Sequence, residues 1–108
     1  MESEIVRIIR EYSSNSRIRF KKHALIRIIE RNIKINEIEE TSQNCKIIES
    51  YTEDQPFISY LILGFTNDNR PLHIVVATDN FEKYIWIIPV YEPSRNKWDE
   101  TFSKRIVK

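Results

Sequence analysis

The chain has 108 residues, 41% of them hydrophobic and 31% charged, and its 17 basic and 16 acidic residues nearly cancel. This length predicts one folded domain, since a chain of this size buries about 60–68% of its unfolded surface. A single glycine excludes glycine-rich phosphate-binding loops, and a single cysteine excludes internal disulfides and multi-cysteine zinc sites. The apolar runs are too short to span a membrane and the acidic start lacks an apolar leader, so we expect a cytoplasmic protein with no membrane partner.

The first half of the sequence predicts helices with one short strand among them. Ser3 is a candidate N-cap for the first helix, and Asn32 is a candidate left-handed cap at the end of the second. Asn36 is a candidate cap for the third helix, preceded by Ile35 as half of a hydrophobic staple. In chain order we predict a helix over 3–12, a strand over 17–21, a helix over 22–31 and a short helix around 37–41.

The second half consists of short runs rich in Ile, Val and aromatic residues, which are typical of strands. The predicted strands are 46–51, 59–66, 71–78 and 84–91. Turn residues at 67–69 and 79–80 predict antiparallel hairpins between the later strands. The run 71–78 is apolar on both faces and is expected at the sheet centre, whereas Pro89 is expected at an edge or a bulge. Trp98 and Phe102, four residues apart, are compatible with a short closing helix.

Charge is distributed unevenly along the chain. Residues 17–34 hold seven cations and one anion, a net charge of +6, whereas residues 36–55 hold six anions and one cation, a net charge of −5. Opposed blocks indicate a surface for a polyanionic ligand beside a region that repels it, and a solvated surface with a chance imbalance is the alternative. His23, Arg27 and Arg31 form one stripe of the predicted second helix.

Few residues offer catalytic chemistry. His23 and His73 are the only histidines and suit proton transfer near neutral pH, although a histidine within a strand is more often a hydrogen-bonded core residue. The sequence contains no HxH, HxxxH or HExxH spacing, so we expect no metal or other cofactor. A metal site made by the two histidines with Cys45 or a carboxylate, and metal-dependent hydrolysis with it, is the weaker alternative. Cys45 is interpreted as a small buried residue. The aromatic residues that could stack nucleic-acid bases, or pack in the core instead, are Trp86, Tyr91, Trp98 and Phe102.

Several segments together resemble the signature of the domain-of-unknown-function family DUF4258. The first is His23-Ala24-x-x-Arg27-Ile28-x-Glu30-Arg31-Asn32-Ile33, which is similar to H-A-x-x-R-M-x-E-R-G-I. Two others are Arg70-Pro71-Leu72-His73-Ile74-Val75 and Ile87-Ile88-Pro89-Val90-Tyr91-x-Pro93. Trp98 and Arg105 match the family's closing Trp and Arg. The chain departs from the pattern at Asn32, where the family has Gly, and at Pro89, where it has Thr.

The resemblance implies a fold, a function and partners. The family is placed with RelE/ParE-like plasmid toxins, which implies an α+β fold with a β-α-α-β-β-β antiparallel sheet and helices packed on one face. Here one further strand and an N-terminal helix extend that core, in a single domain over residues 1–108. The implied function is the toxin of a type II toxin–antitoxin pair. The implied partners are RNA, free or on the ribosome, and a cognate antitoxin of the zinc-binding or helix-turn-helix kind.

Many members of that superfamily are mRNA endoribonucleases, whereas ParE-type relatives inhibit gyrase. Metal-independent RNA cleavage needs groups that remove one proton, supply another and stabilise negative charge on phosphorus. We predict His73 as the first candidate acid or base, His23 as the second and Tyr91 as a weaker acid. The predicted phosphate-binding residues are Arg27, Arg31, Arg70, Arg19 and Lys22. The alternative is a non-catalytic binding module that blocks a protein target or binds RNA.

Overall fold

The computed structural model describes residues 3–107. In chain order the elements are α1 (Glu4–Ser14), β1 (Ile18–Phe20), α2 (Lys22–Glu30), α3 (Ile35–Gln43), β2 (Lys46–Tyr51), β3 (Ser59–Phe65), β4 (Pro71–Asp79) and β5 (Tyr84–Tyr91). The strands form one sheet in the order β1-β5-β4-β3-β2. The α+β class predicted from the sequence is confirmed. Among residues 3–107, no helix has the length and apolar character needed to cross a membrane.

The sheet is mixed, which corrects the expectation of an antiparallel one. Strands β2 to β5 pair antiparallel as predicted, but β1 pairs parallel with β5, in the register Ile18 to Ile85 and Phe20 to Ile87. A parallel neighbour requires a long crossover, and the chain from α2 to β4 supplies it. The ladder includes a hydrogen bond of 3.2 Å from the amide of Lys21 to the carbonyl of Ile87.

Local chemistry accounts for most helix ends. The Ser3 hydroxyl accepts the amide of Val6 at 3.2 Å, as predicted for an N-cap, and Asn32 has a left-handed φ of 55° just after α2. The predicted cap Asn36 is wrong, because α3 begins at Ile35 with Lys34 as the N-cap. The Glu37 carboxylate accepts a hydrogen bond from the backbone amide of Lys34 at 2.9 Å. The amide of the N-cap residue, which has no partner within the helix, is thereby satisfied.

The predicted closing helix does not form. Phe102 has a left-handed φ of 59°, which a helix does not tolerate, and Trp98 and Arg105 pair instead through an isolated antiparallel bridge. The Asp99 carboxylate accepts the backbone amides of Thr101 and Ser103 at 3.1 and 3.2 Å. An aspartate that holds nearby amides in this way stabilises a turn in competition with a helix. Residues 94–107, called the C-terminal segment below, therefore follow an irregular path.

The two faces of the sheet differ in what covers them. One face, called the helix face, packs against the three helices through side chains that include Ile74, Ile87 and, from α2, Ile28. The opposite face, called the open face, carries the alternate residues, among them His73 of β4 and Trp86 of β5. Pro89 lies at a bulge where two β5 residues oppose Val75, as its missing amide requires. The C-terminal segment crosses the open face around His73, and residues 54–57 lie against another part of it beside Trp86.

Candidate functional site

His73 and Tyr91 are adjacent on the open face, because they are direct partners in the β4–β5 ladder. The His73 Nδ1 atom lies 3.2 Å from the Tyr91 hydroxyl, and its Nε2 atom lies 2.8 Å from the carbonyl oxygen of Phe102. Trp98 packs edge-on against the imidazole, with ring centroids 4.4 Å apart. His73 has 0% of its surface exposed, so the C-terminal segment covers it completely.

The hydrogen-bond partners define the tautomer of His73. A carbonyl oxygen can only accept, so Nε2 carries the proton and Nδ1 accepts the hydroxyl proton of Tyr91. Burial lowers the pKa of His73 from its ordinary value of 6.5 and keeps the ring neutral. Burial also raises the pKa of Tyr91. Tyr91 is therefore a neutral phenol whose hydroxyl donates to the neutral imidazole of His73.

An ion pair between Arg105 and Glu49 holds the C-terminal segment over His73 and Tyr91. Arg105 donates to Glu49 of β2 through Nε at 2.7 Å and Nη2 at 2.9 Å, and the Tyr51 hydroxyl donates to the same carboxylate at 2.6 Å. The hydrogen bonds from Arg105 hold the pKa of Glu49 below its usual value. Burial, together with the bond to Glu49, raises the pKa of Tyr51 to about 12. The Arg105 guanidinium also lies 4.6 Å from the Trp98 ring centre.

A cavity opens beside Tyr91 at the margin of the C-terminal segment. Its volume is ≈ 310 Å³, at the lower end of the range of about 300–1,000 Å³ typical of small-molecule sites. It is lined by Tyr91, Glu92, Ser94, Lys97, Trp98 and Arg105. Lys97 and Arg105 bring two cations to the concave surface beside the Tyr91 phenol, although Arg105 is paired with Glu49 and the Glu92 carboxylate is paired with Arg70. The cations suit an anionic ligand such as a phosphate ester.

Three of the predicted phosphate-binding arginines, Arg19, Arg31 and Arg70, have partners within the fold, and that of Arg19 is Glu82 at 3.1 Å. Arg70 forms ion pairs with Glu37 at 3.3 Å and Glu92 at 3.0 Å. Arg31 donates to the carbonyl of Val90 at 2.6 Å, and its own carbonyl accepts from Arg70. The guanidinium groups of Arg31 and Arg70 connect the ends of α2, α3 and β5.

The predicted residues on α2 lie apart from the His73 cluster. Lys22, His23 and Arg27 are exposed on α2, which packs on the helix face of the sheet through Ala24 and Ile28. His73 occupies the open face, so the structure does not bring the two histidines together. Of the predicted catalytic residues, only His73 and Tyr91 are in contact.

A second group of functional interest lies at the β1 edge of the open face. Arg17, Arg19 and Lys21 alternate along and beside β1, and Arg19 lies opposite Trp86 of β5. The guanidinium groups of Arg17 and Arg19 lie 4.1 and 3.7 Å from the ring centre of Tyr84. The Lys21 ammonium lies 4.5 Å from the centre of the Trp86 ring. We call these five residues the cationic strip.

The sequence analysis predicted some residues of the His73 cluster and some of the cationic strip. Arg19 was predicted as a phosphate ligand, and the polar–apolar alternation over 17–21 was a usable signal for the remainder of the strip. Glu49, Lys97 and Arg105 were not predicted as site residues. No spacing could reveal them, since Glu49 and Arg105 are 56 positions apart and meet only through the C-terminal segment. Within residues 3–107, no group of three or more His, Cys, Asp or Glu side chains is arranged to hold a metal ion.

Comparison with protein families assigns the chain to one of them. The family described as Domain of unknown function (DUF4258) matches residues 20–92, more than half of the chain. The chain belongs to the DUF4258 family. The match extends from the end of β1 to just beyond β5 and includes His73 and Tyr91. Comparisons with curated proteins and with solved structures give no significant match.

Proposed function

We propose that this DUF4258 protein is the toxin of a type II toxin–antitoxin pair, related to RelE/ParE-like toxins, and that it cleaves RNA without a metal. The observation that carries the proposal is the contact between Tyr91 and His73 at the rim of a cavity that also holds Lys97 and Arg105. A proton-transfer pair beside two cations is the minimum that cleavage of a phosphodiester by a neighbouring hydroxyl requires.

The proposed reaction follows from this arrangement. The ribose 2′-oxygen forms a bond to the adjacent phosphorus, and the bond from phosphorus to the 5′-oxygen breaks. Tyr91 accepts the 2′-hydroxyl proton while its own phenolic proton passes to Nδ1 of His73. Arg105 and Lys97 stabilise the charge on the phosphoryl oxygens, and the Lys97 ammonium returns a proton to the leaving 5′-oxygen. The products are a 2′,3′-cyclic phosphate and a 5′-hydroxyl end.

In this reaction His73 therefore takes a proton from Tyr91 and does not contact the substrate. Its complete burial supports that division of roles, because a buried imidazole reaches a ligand only through a neighbouring group. The exposed cations Lys22 and Arg27, which lie on the helix layer, are assigned to the partner protein described below.

The test is the cleavage of a defined RNA in the presence of a chelator, with identification of the new ends. We expect 2′,3′-cyclic phosphate ends from the wild type, and a rate lower by about 10²- to 10⁴-fold from Tyr91→Phe. Tyr60→Phe is the matched control, since Tyr60 belongs to the same sheet but packs against the core on the helix face. Equal rates for wild type and Tyr91→Phe would remove Tyr91 from the mechanism.

A second candidate is a non-catalytic RNA-binding module. It is favoured by one observation, that Arg105 is already paired with Glu49 and both nitrogens of His73 are already bonded. Under this candidate the wild type retains RNA at the open face and releases no shorter product, with or without a divalent metal. Product analysis in the experiment above separates the two functions.

The proposed partner is an antitoxin of the zinc-binding or helix-turn-helix kind. The feature that supports a protein partner is α2, which exposes Leu25, Ile26 and Ile29 beside its cations. An acidic segment with apolar anchors complements such a surface. RNA, on the ribosome or free, remains the proposed substrate for the opposite side of the molecule.

A further inference from the structure

We infer that the cationic strip and the cleft beside it form a second RNA-binding site, separate from the Tyr91 cavity, which takes a single strand with a pyrimidine base in the cleft. The inference rests on the proposed function only in taking RNA as the ligand. It deepens that proposal by assigning where the substrate is held outside the cavity and which base is preferred there.

The spacing of the strip suits an extended single strand. Residues two apart in a strand point to one face and lie about 6.6 Å from each other, so Arg17, Arg19 and Lys21 present a row of cations at regular intervals. Only Arg19 of the three is paired with a carboxylate among the described residues, at 3.1 Å from Glu82. Arg17 donates instead to the carbonyls of Glu82 and Lys83 at 2.9 and 2.8 Å, which orients its guanidinium plane over Tyr84.

Flat groups accompany these charges. Tyr84 and Trp86 lie beneath the cations, and a guanidinium plane stacked on a ring is itself a platform for a base. Phe81 lies in the β4–β5 turn, three residues before Tyr84, and is 93% exposed although it is a large aromatic residue. Cations interleaved with stacking surfaces, at the spacing of an extended strand, are the composition that binds single-stranded nucleic acid.

The cleft adjoins the strip at Lys21 and Trp86. Its other walls include Pro56, Phe57 and Ile88, and Asp54 and Gln55 lie at its polar side. The volume of the cleft is ≈ 70 Å³. A space this small favours the single ring of a pyrimidine over the two fused rings of a purine, and this difference is the basis of the inferred base preference.

The experiment measures the binding of labelled U₈ and A₈ oligonucleotides, made with 2′-deoxy sugars so that the protein cannot cleave them, by fluorescence anisotropy over a range of salt concentrations. Arg19→Gln/Lys21→Gln should reduce the log–log salt slope for U₈ by about 1.4, since each phosphate contact on a single strand contributes about 0.7. The matched control is Arg7→Gln/Lys34→Gln, which removes two exposed cations from the helix layer and should leave the slope unchanged. Phe57→Ala should abolish the preference for U₈ over A₈.

Cleavage assays distinguish this inference from the proposed function. A dinucleotide fills only the Tyr91 cavity, so the Arg19/Lys21 double variant should cleave it at the wild-type rate and show a raised KM only for long RNA. Tyr91→Phe should bind U₈ as tightly as the wild type. If the double variant keeps the wild-type salt slope, or if A₈ binds as tightly as U₈, the second site is wrong even where Tyr91→Phe abolishes cleavage. If no RNA is cleaved but the strip variants lose binding, the second site stands and the catalytic proposal fails.

Discussion

His73 lies in the middle of an apolar strand without exposure to solvent, and both of its ring nitrogens have partners within the protein. A buried imidazole of this kind stabilises the fold only while it is neutral, because its charged form would lose solvation and a hydrogen bond. The same bond that satisfies Nδ1 also supplies the proposed base for Tyr91. The hydrogen bond between His73 and Tyr91 therefore contributes both to the stability of the fold and to the proposed chemistry.

We expect the free energy of unfolding to decrease on acidification from pH 7 to pH 5. Burial holds the pKa of native His73 below 6.5, so the unfolded chain takes up the proton first and gains stability as the pH falls. His73→Gln should remove this part of the pH dependence in urea unfolding. Glu49→Gln should retain most of it, because the lowered pKa of Glu49 affects stability mainly as the pH approaches and falls below its ordinary value of 4.5. An unaltered dependence in His73→Gln would show that the imidazole is not held neutral.

The coupling between His73 and Tyr91 predicts non-additive kinetics. His73→Gln retains hydrogen-bonding capacity but cannot accept a proton near pH 7, so kcat should fall while RNA affinity is unchanged. Because both residues belong to one proton path, the double variant His73→Gln/Tyr91→Phe should be no slower than Tyr91→Phe alone. Fully additive losses in single-turnover cleavage would indicate independent roles. The stability of His73→Gln should decrease by about 1–2 kcal/mol, which is measured separately.

The elements whose residues alternate regularly were predicted well. β5 and β2 have the predicted bounds, and β4 is the central strand that its two apolar faces indicated. The errors have local causes that spacing does not encode. Lys34 and not Asn36 is the N-cap of α3, with Glu37 accepting the Lys34 amide, and Asp99 stabilises turns where the separation of Trp98 and Phe102 suggested a helix. The contact between Glu49 and Arg105 arises from that irregular segment, so this part of the site was beyond prediction.

Gly64 positions α3 against the sheet. A Cβ atom at this residue would lie 2.4 Å from the carbonyl oxygen of Thr41 and 2.6 Å from its Cγ2. Gly64→Ala should therefore push α3 away from β3 and lower the free energy of unfolding by about 1–3 kcal/mol in urea titration. Thr41→Ser removes only the Cγ2 contact, so it should restore part of the loss in the double variant. Wild-type stability of Gly64→Ala would mean that α3 moves without cost.

At the scale of the whole molecule, the basic block of residues 17–34 is divided between two surfaces. The cations of β1 lie on the open face, whereas those of α2 lie on the helix layer. The acidic block does not form one repelling surface either, because Glu37 and Glu49 are paired with Arg70 and Arg105. Net charge along the sequence thus predicted an anionic partner but not the separation of two basic surfaces.

That separation leads to a prediction about the proposed antitoxin. Co-purification with the product of the adjacent gene should give a complex in which amide hydrogen exchange of α2 is slowed, because the partner covers its exposed apolar residues. Ile29 is 78% exposed, so Ile29→Glu should abolish the complex by placing a carboxylate against an acidic, apolar segment while the free protein keeps its melting temperature. Ile35→Glu is the matched control on α3, where an acidic residue in the first turn is favourable to the helix. Protection confined to residues 37–54, with α2 unprotected, would place the partner on the acidic region and contradict the assignment of α2.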